Sequence, residues 1–215
     1  MNLSLEYKIR EPKIILDKNP LILMLHGYGS NEADLFSFAP ELPDEYYVIS
    51  ARAPYDLQYG SYAWYAINFD ADQNKFSDND QARISRDKIS DFIDEMIRKY
   101  PIDSNDVTLF GFSQGSILSY AVALSYPEKI NKVIAMSGYL NLEIVADDYL
   151  KNNLNKLNIF ASHGTVDQVI PVEWARKTAP VLEKLGINIT YKEYPVGHGV
   201  APQNFYDLKN WLIGK

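Results

Sequence analysis

From Leu21 onward the chain alternates between short apolar runs of strand length and longer segments whose apolar residues recur at helical spacing. That alternation leaves few folds open. Leu21 to Leu25 is continuously apolar, which suits a strand buried on both faces. Further on, Ile89, Phe92, Ile93, Met96, Ile97 and Tyr100 fall on one stripe of a helix that Pro101 ends. The same reading predicts strands at Tyr46 to Ser50, Val107 to Phe112, Lys132 to Met136, Leu157 to Ala161 and Ile187 to Tyr194. It predicts helices near Asn31 to Ala39, Gln114 to Tyr126, Val172 to Leu185 with a kink at Pro180, and Pro202 to Leu212. At the start, Leu3, Leu5, Tyr7 and Ile9 alternate with polar residues and Lys13 to Leu16 is a second apolar run, so two more strands are expected there. Strands alternating with helices specify the α/β class, a mostly parallel central sheet with helices on both faces. With no linker, repeat or low-complexity tract, residues 1–215 are expected to form one domain. In such sheets the ligand site lies at the carboxyl ends of the strands, which directs attention to the loops after Leu25, Phe112, Ala161 and Tyr194.

Composition removes several classes of function. Lys and Arg number 21 against 28 Asp and Glu, a formal charge of −7, so the molecule repels phosphate backbones and anionic membrane surfaces, and nucleic acid is not an expected partner. The absence of cysteine eliminates thiolate nucleophiles and cysteine-bound metal. Any nucleophile must be an oxygen or a nitrogen. The N-terminus lacks the charged start and apolar run of a secretory signal, and no apolar stretch approaches bilayer length, so the expected compartment is the cytoplasm, without stable membrane insertion. A homodimer is compatible with the sequence.

Gly111-Phe112-Ser113-Gln114-Gly115 has the Gly-x-Ser-x-Gly form and sits between an expected strand and an expected helix. In that context it is a nucleophile turn of the α/β-hydrolase type: the serine is held on a strained strand-to-helix corner and the glycines make room for neighbouring backbone. Chance occurrence is the bland alternative, and the flanking elements argue against it. A serine hydroxyl needs a base, and the chain offers three histidines, His26, His163 and His198. The order serine, acid, histidine disqualifies His26. His163 would need an acid from the poorly defined stretch containing Glu143, Asp147 and Asp148. His198, in the glycine-flanked turn after the last strand, is the expected base, and Asp167, in the loop after the Leu157 strand, the expected acid. Taken alone, Asp167 reads better as a turn or N-cap aspartate and His198 reads equally well as a loop histidine of no function; their joint placement with Ser113 carries the assignment.

His26 and His163 each precede a glycine at a strand end and are read as structural residues that hydrogen-bond neighbouring loops. A metal site built on them lacks both cysteine and the His-Glu-x-x-His spacing, so no metal is expected. For the oxyanion, one backbone donor is expected from Gln114 and a second from Tyr28, in the loop after Leu25. That loop is placed after the third strand if both N-terminal runs are strands.

These residues together resemble the phospholipase/carboxylesterase family, which includes acyl-protein thioesterases and small bacterial carboxylesterases. The matching stretches are Leu25-His26-Gly27-Tyr28-Gly29, Ala63-Trp64-Tyr65, Gly111 to Gly115, His163-Gly164-x-x-Asp167 with Ile170-Pro171, and Tyr194-Pro195 with Gly197-His198. The resemblance implies the α/β-hydrolase fold, with Ser113, Asp167 and His198 as triad. It also implies hydrolysis of a small-molecule ester or thioester, lipid-like in some relatives, without metal or organic cofactor. The departures are the long Tyr55 to Asn79 loop, rich in tyrosine, and Val200-Ala201-Pro202 after the histidine, which is closer to the bacterial carboxylesterase pattern. Carboxylesterase is therefore the leading reading, with acyl-protein thioesterase or lysophospholipase behind it and a catalytically silent binding module more distant.

The segment Tyr55 to Phe69 crowds Tyr55, Tyr59, Tyr62, Trp64, Tyr65 and Phe69 into fifteen residues. Trp64 and Tyr65 are the expected substrate-binding residues, lining a cleft above Ser113 that would favour acyl chains longer than acetyl. The plainer alternative is that these rings cover the sheet edge.

Overall fold

A computed structural model of the protein describes residues 3–69 and 75–214, without the side chains at 69, 75 and 76. Its centre is a seven-stranded sheet in the order β1-β3-β2-β8-β9-β10-β11. The members are β1 (Tyr7–Arg10), β2 (Asn19–Leu25), β3 (Tyr47–Ala51), β8 (Ile102–Phe112), β9 (Lys132–Met136), β10 (Asn158–Gly164) and β11 (Asn188–Tyr194). Only β1 runs antiparallel, against β3. The remaining pairs are parallel, as the alternation with helices requires.

Among the described residues five α-helices complete the layers: α1 (Asn79–Lys99), α2 (Gln114–Ser125), α3 (Val172–Arg176), α4 (Thr178–Lys184) and α5 (Pro202–Leu212). The Asp78 carboxylate caps α1 by accepting from the Gln81 N–H at 3.0 Å. Every residue of α2 is buried, because the helix is packed between the sheet strands β8 and β9 and helix α1. Larger of the two cores, one face of the sheet packs Leu21, Leu23 and Leu25 with Phe92, Leu118 and Leu182. The other face packs Ile22, Met24 and Phe110 with Leu208 and Leu212 of α5. Opposite faces thus take alternate residues of β2, as a fully buried strand demands.

Three expectations are corrected. Lys13 to Leu16 is not a strand: the Lys13 and Ile14 N–H groups both donate to Asp44 O and the Leu16 N–H donates to Asn19 Oδ1, so the segment closes as a loop. Its Ile15 side chain is 73% exposed, so the apolar run has no sheet face to serve. The Leu21 strand is accordingly the second in the chain, and the loop expected to supply the Tyr28 donor follows β2. The Val172 to Leu185 helix is broken at Lys177, not at Pro180, which lies in the first turn of α4 where its missing N–H leaves no bond unmade.

The aromatic loop after β3 is more ordered than the sequence suggests. It contains two small antiparallel hairpins, β4 (Tyr55–Asp56) with β5 (Tyr62–Ala63), and β6 (Ile67–Phe69) with β7 (Lys75–Ser77). Among the described residues no helix is long and apolar enough to cross a membrane.

Candidate active site

Parallel register brings the carboxyl ends of β2, β8, β9 and β10 to one side of the sheet: Leu25 lies beside Gly111, and Phe112 beside Met136. Ser113 follows immediately, with φ 53° and ψ −116°, an unfavourable conformation for a non-glycine residue. Neighbouring structure holds it there. The Ser113 N–H donates to Met136 O at 2.9 Å, and a Cβ at Gly115 would lie 2.0 Å from Leu25 O, so α2 can approach β2 this closely only with glycine at that position.

The three residues singled out from sequence meet at this corner. The His198 Nε2 is 2.9 Å from Ser113 Oγ, and the His198 Nδ1 is 2.7 Å from Asp167 Oδ2. A carboxylate only accepts, so Nδ1 carries the proton and Nε2 is the acceptor facing the serine hydroxyl. Asp167 is fully buried at its side chain, and its other oxygen accepts the Val169 and Ile170 N–H groups at 2.8 and 2.9 Å. Burial by itself would raise its pKa; the donors from His198, Ile170 and Val169 outweigh it and hold the carboxyl below the ordinary value. The group is therefore an anion whose orientation is fixed.

Tyr28 and Gln114 flank the serine along the same cleft. The Gly27 carbonyl accepts from His26 Nδ1 at 2.8 Å and from the Ser30 N–H at 3.3 Å, which clamps the peptide linking Gly27 to Tyr28. In a trans peptide the N–H points opposite the carbonyl, so the Tyr28 N–H faces away from the His26 ring. Gln114 is the first residue of α2, so its N–H has no acceptor within the helix. Its side chain accepts from the Trp64 N–H at 2.8 Å and donates to Tyr65 O at 2.7 Å, bolting the aromatic loop to the start of α2.

The cleft has a volume of about 650 Å3. Tyr65 is part of its wall, together with Ile117, Tyr139, Leu140 and Trp174. Trp64 is not. It is completely buried, its indole N–H donates to His26 O at 2.9 Å, and its carbonyl accepts from Ser85 Oγ, so this ring belongs to the scaffold. Of its neighbours, Tyr59 is fully exposed at a hairpin tip, the Tyr62 ring lies beneath the Arg52 guanidinium at 4.8 Å, and the Phe69 side chain falls outside the described residues. Sequence reading missed Tyr139, Leu140 and Trp174. Tyr139 and Leu140 follow β9 at the same end of the sheet as the other loops, a position that the strand-end rule covers. Trp174, edge-on to Tyr139 at 5.1 Å, carries no such signal.

His26 and His163 bond nearby backbone, as expected of them, but His163 also reaches the site. Its Nε2 lies 2.9 Å from Ile170 O and 3.2 Å from Asp167 Oδ2.

A family model described as phospholipase/carboxylesterase matches residues 11–213. Acyl-protein thioesterase 1 of Emericella nidulans is 29% identical over 211 residues, covering 89% of this chain and 88% of its own length. A probable carboxylesterase of Oryza sativa subsp. japonica is 27% identical over 205 residues, covering 89% of this chain and 76% of its own. Among solved structures, the Bacillus cereus carboxylesterase superposes with a TM-score of 0.84 at 20% identity, covering 98% of this chain and 94% of that one. A carboxylesterase from Mesorhizobium loti gives 0.84 at 17% identity over 100% and 97%. At these identities the structural likeness shows the fold.

Proposed function

The chain belongs to the phospholipase/carboxylesterase family of α/β-hydrolases, and from that premise we propose that it is a single-domain serine carboxylesterase working through an acyl-enzyme on Ser113. The observation that carries the proposal is the continuous chain of hydrogen bonds from Ser113 Oγ through both nitrogens of His198 to the buried Asp167 carboxylate.

In the first half-reaction Ser113 Oγ attacks the ester carbonyl carbon while its proton passes to His198 Nε2. The imidazolium so formed is stabilised by Asp167, which keeps its negative charge. The carbonyl oxygen becomes an alkoxide, and the N–H groups of Tyr28 and Gln114 supply its donors; aligned backbone dipoles at the start of α2 add to the positive potential there. Collapse of the tetrahedral intermediate breaks the bond to the leaving oxygen, which takes the proton from His198 Nε2 and departs as alcohol. Water then repeats the sequence on the acyl-serine, releasing the acid and restoring the hydroxyl.

The walls formed by Ile117, Leu140 and Trp174 favour an acyl chain longer than acetyl, since burial of a methylene contributes about 0.8 kcal/mol. The relatives named acyl-protein thioesterase support a second reading in which the bond cleaved is a thioester. The chemistry at Ser113 is the same in both, with a thiol leaving in place of an alcohol.

Ser113→Ala tests the proposal. It should leave the fold intact by circular dichroism, abolish covalent labelling by a fluorophosphonate, and lower kcat on p-nitrophenyl esters by about 10⁴-fold or more. Retention of a tenth of wild-type activity would show that another group attacks. Comparing kcat/KM for oxygen and thio esters of one acyl chain separates the two substrate readings.

A further inference from the structure

His163 is a buried imidazole that the mechanism above does not use. Its side chain is wholly inaccessible, it stands at the end of β10, and its Nδ1 has no hydrogen-bond partner among the described residues. A polar ring left half-satisfied inside a core is costly; an apolar side chain would fill the same space at no such cost. The other nitrogen explains why a histidine is there. The Ile170 carbonyl can only accept, so Nε2 bears a proton and donates it there, while Nδ1 is left without a partner.

The consequence lies in what Ile170 does. Its N–H donates to Asp167 Oδ1 at 2.9 Å while its C=O accepts from His163 at 2.9 Å, so both polar atoms of one residue tie the carboxylate loop to the end of β10. The same Nε2–H lies 3.2 Å from Oδ2, the oxygen that receives His198 Nδ1–H at 2.7 Å. The Asp167 carboxylate is thereby bounded by His198 and His163 at one oxygen and by two backbone amides at the other. Rotation of the carboxylate would break several of these contacts at once.

We propose that His163 is a positioning residue for the triad, an imidazole whose Nε2–H holds Ile170 and Asp167 in the geometry that presents Oδ2 to His198. The proposal rests on the Ser113–His198–Asp167 reading. It assigns His163 no contact with substrate and no proton transfer; what it supplies is a donor at a fixed point.

The test exploits where an amide falls along the side chain. Glutamine places its NH2 near the position of Nε2, asparagine near that of Nδ1, and leucine fills the volume with no donor. Purified His163→Gln, His163→Asn and His163→Leu are compared with wild type by circular dichroism, thermal melting, p-nitrophenyl ester kinetics and the rate of fluorophosphonate labelling, with activity normalised to labelled sites. The expected result is a kcat lowered about tenfold or more in the Asn and Leu variants with KM within twofold, slower labelling in the same two, and a Gln variant within about threefold of wild type. Residues that orient the ligands of metal sites are worth about 10- to 100-fold in the same way. Should the Leu variant fail to fold, the Asn variant carries the same expectation. The proposal is overturned if Asn and Leu keep wild-type kcat per labelled site, or if Gln falls as far as they do, either of which makes His163 a packing residue and leaves the triad standing. Labelling of Ser113→Ala at the wild-type rate would instead remove the triad reading itself.

Discussion

His26-Gly27 and His163-Gly164 are alike in sequence, each at the carboxyl end of a parallel strand, yet they hold opposite parts of the candidate site. At the first corner the ring turns back on its own loop, donating from Nδ1 to Gly27 O and accepting the Ala53 N–H at Nε2, 3.1 Å away. Both nitrogens are satisfied, and the effect is to aim a backbone N–H. At the second corner the ring donates from Nε2 to Ile170 O and leaves Nδ1 bare, and the effect is to hold a carboxylate. The same dipeptide therefore serves two purposes, and the difference comes from what the neighbouring segments present to the ring. The glycines differ too. A Cβ at Gly164 would lie 2.2 Å from Gly197 O and 2.3 Å from Val196 O, the backbone that carries His198, whereas at Gly27 it would meet Phe112 Cδ1 and Ser113 Cβ at 3.3 Å.

The largest effect expected from breaking this comparison comes from those glycines. Gly164→Ala must push the His198 loop away, and a displacement of about 1 Å can cost about 100-fold, so kcat/KM should fall by that order with a lowered melting temperature. Gly27→Ala needs a shift of only a few tenths of an ångström and should stay within tenfold. Ester kinetics and thermal melts on both variants decide the matter, and the reverse ranking would mean that the Gly164 backbone yields where the Gly27 side does not.

A smaller effect ties the first of these corners to pH. Burial pushes the His26 pKa below its ordinary 6.5, with the Gly27 carbonyl opposing in part. The unfolded chain then binds a proton that the folded chain refuses. The stability associated with neutral His26 is complete above pH 6.5 and is lost as pH falls from there through the lower folded value, with a limiting slope of about 1.4 kcal/mol per pH unit. Urea denaturation between pH 7 and pH 5 should show a shallower decline for His26→Asn than for wild type. Identical slopes would mean that the folded protein admits the proton.

The smallest effect sharpens the distinction between scaffold and pocket. Trp64→Phe removes the indole donor to His26 O and should cost about 1 kcal/mol of stability without altering the acyl-chain profile. Trp174→Ala should leave the melting temperature nearly unchanged and flatten the rise in kcat/KM from acetyl to octanoyl esters by about two- to threefold per two carbons, a fraction of full methylene burial because the ring is 47% exposed. If the two tryptophans exchanged these behaviours, the cleft walls would have to be redrawn.

Much of this was legible from residues alone, and unevenly so. Ser113 announces itself because its turn needs glycine on both sides and a strand and helix at its flanks, all within five residues. His198 and Asp167 were reached by chain order and by the strand-end rule. Lys13 to Leu16 deceived because an apolar run predicts a strand only if a sheet edge is there to receive it; Asp44 and Asn19 had already turned that segment into a loop. Trp64 and Tyr65, adjacent in sequence, went to core and cleft respectively, and no composition or spacing separates them.

By itself the sequence determined the strand and helix alternation, the sharp turn at Ser113 and the order of the three polar residues, since each depends on backbone sterics and side-chain chemistry acting over a few neighbours. Tertiary structure alone decided which rings face the cleft and how close His198 stands to Ser113 and Asp167. Those outcomes depend on the register of β2 against β8 and of β10 against β9, which brings together groups dozens of residues apart whose local sequences carry no record of one another.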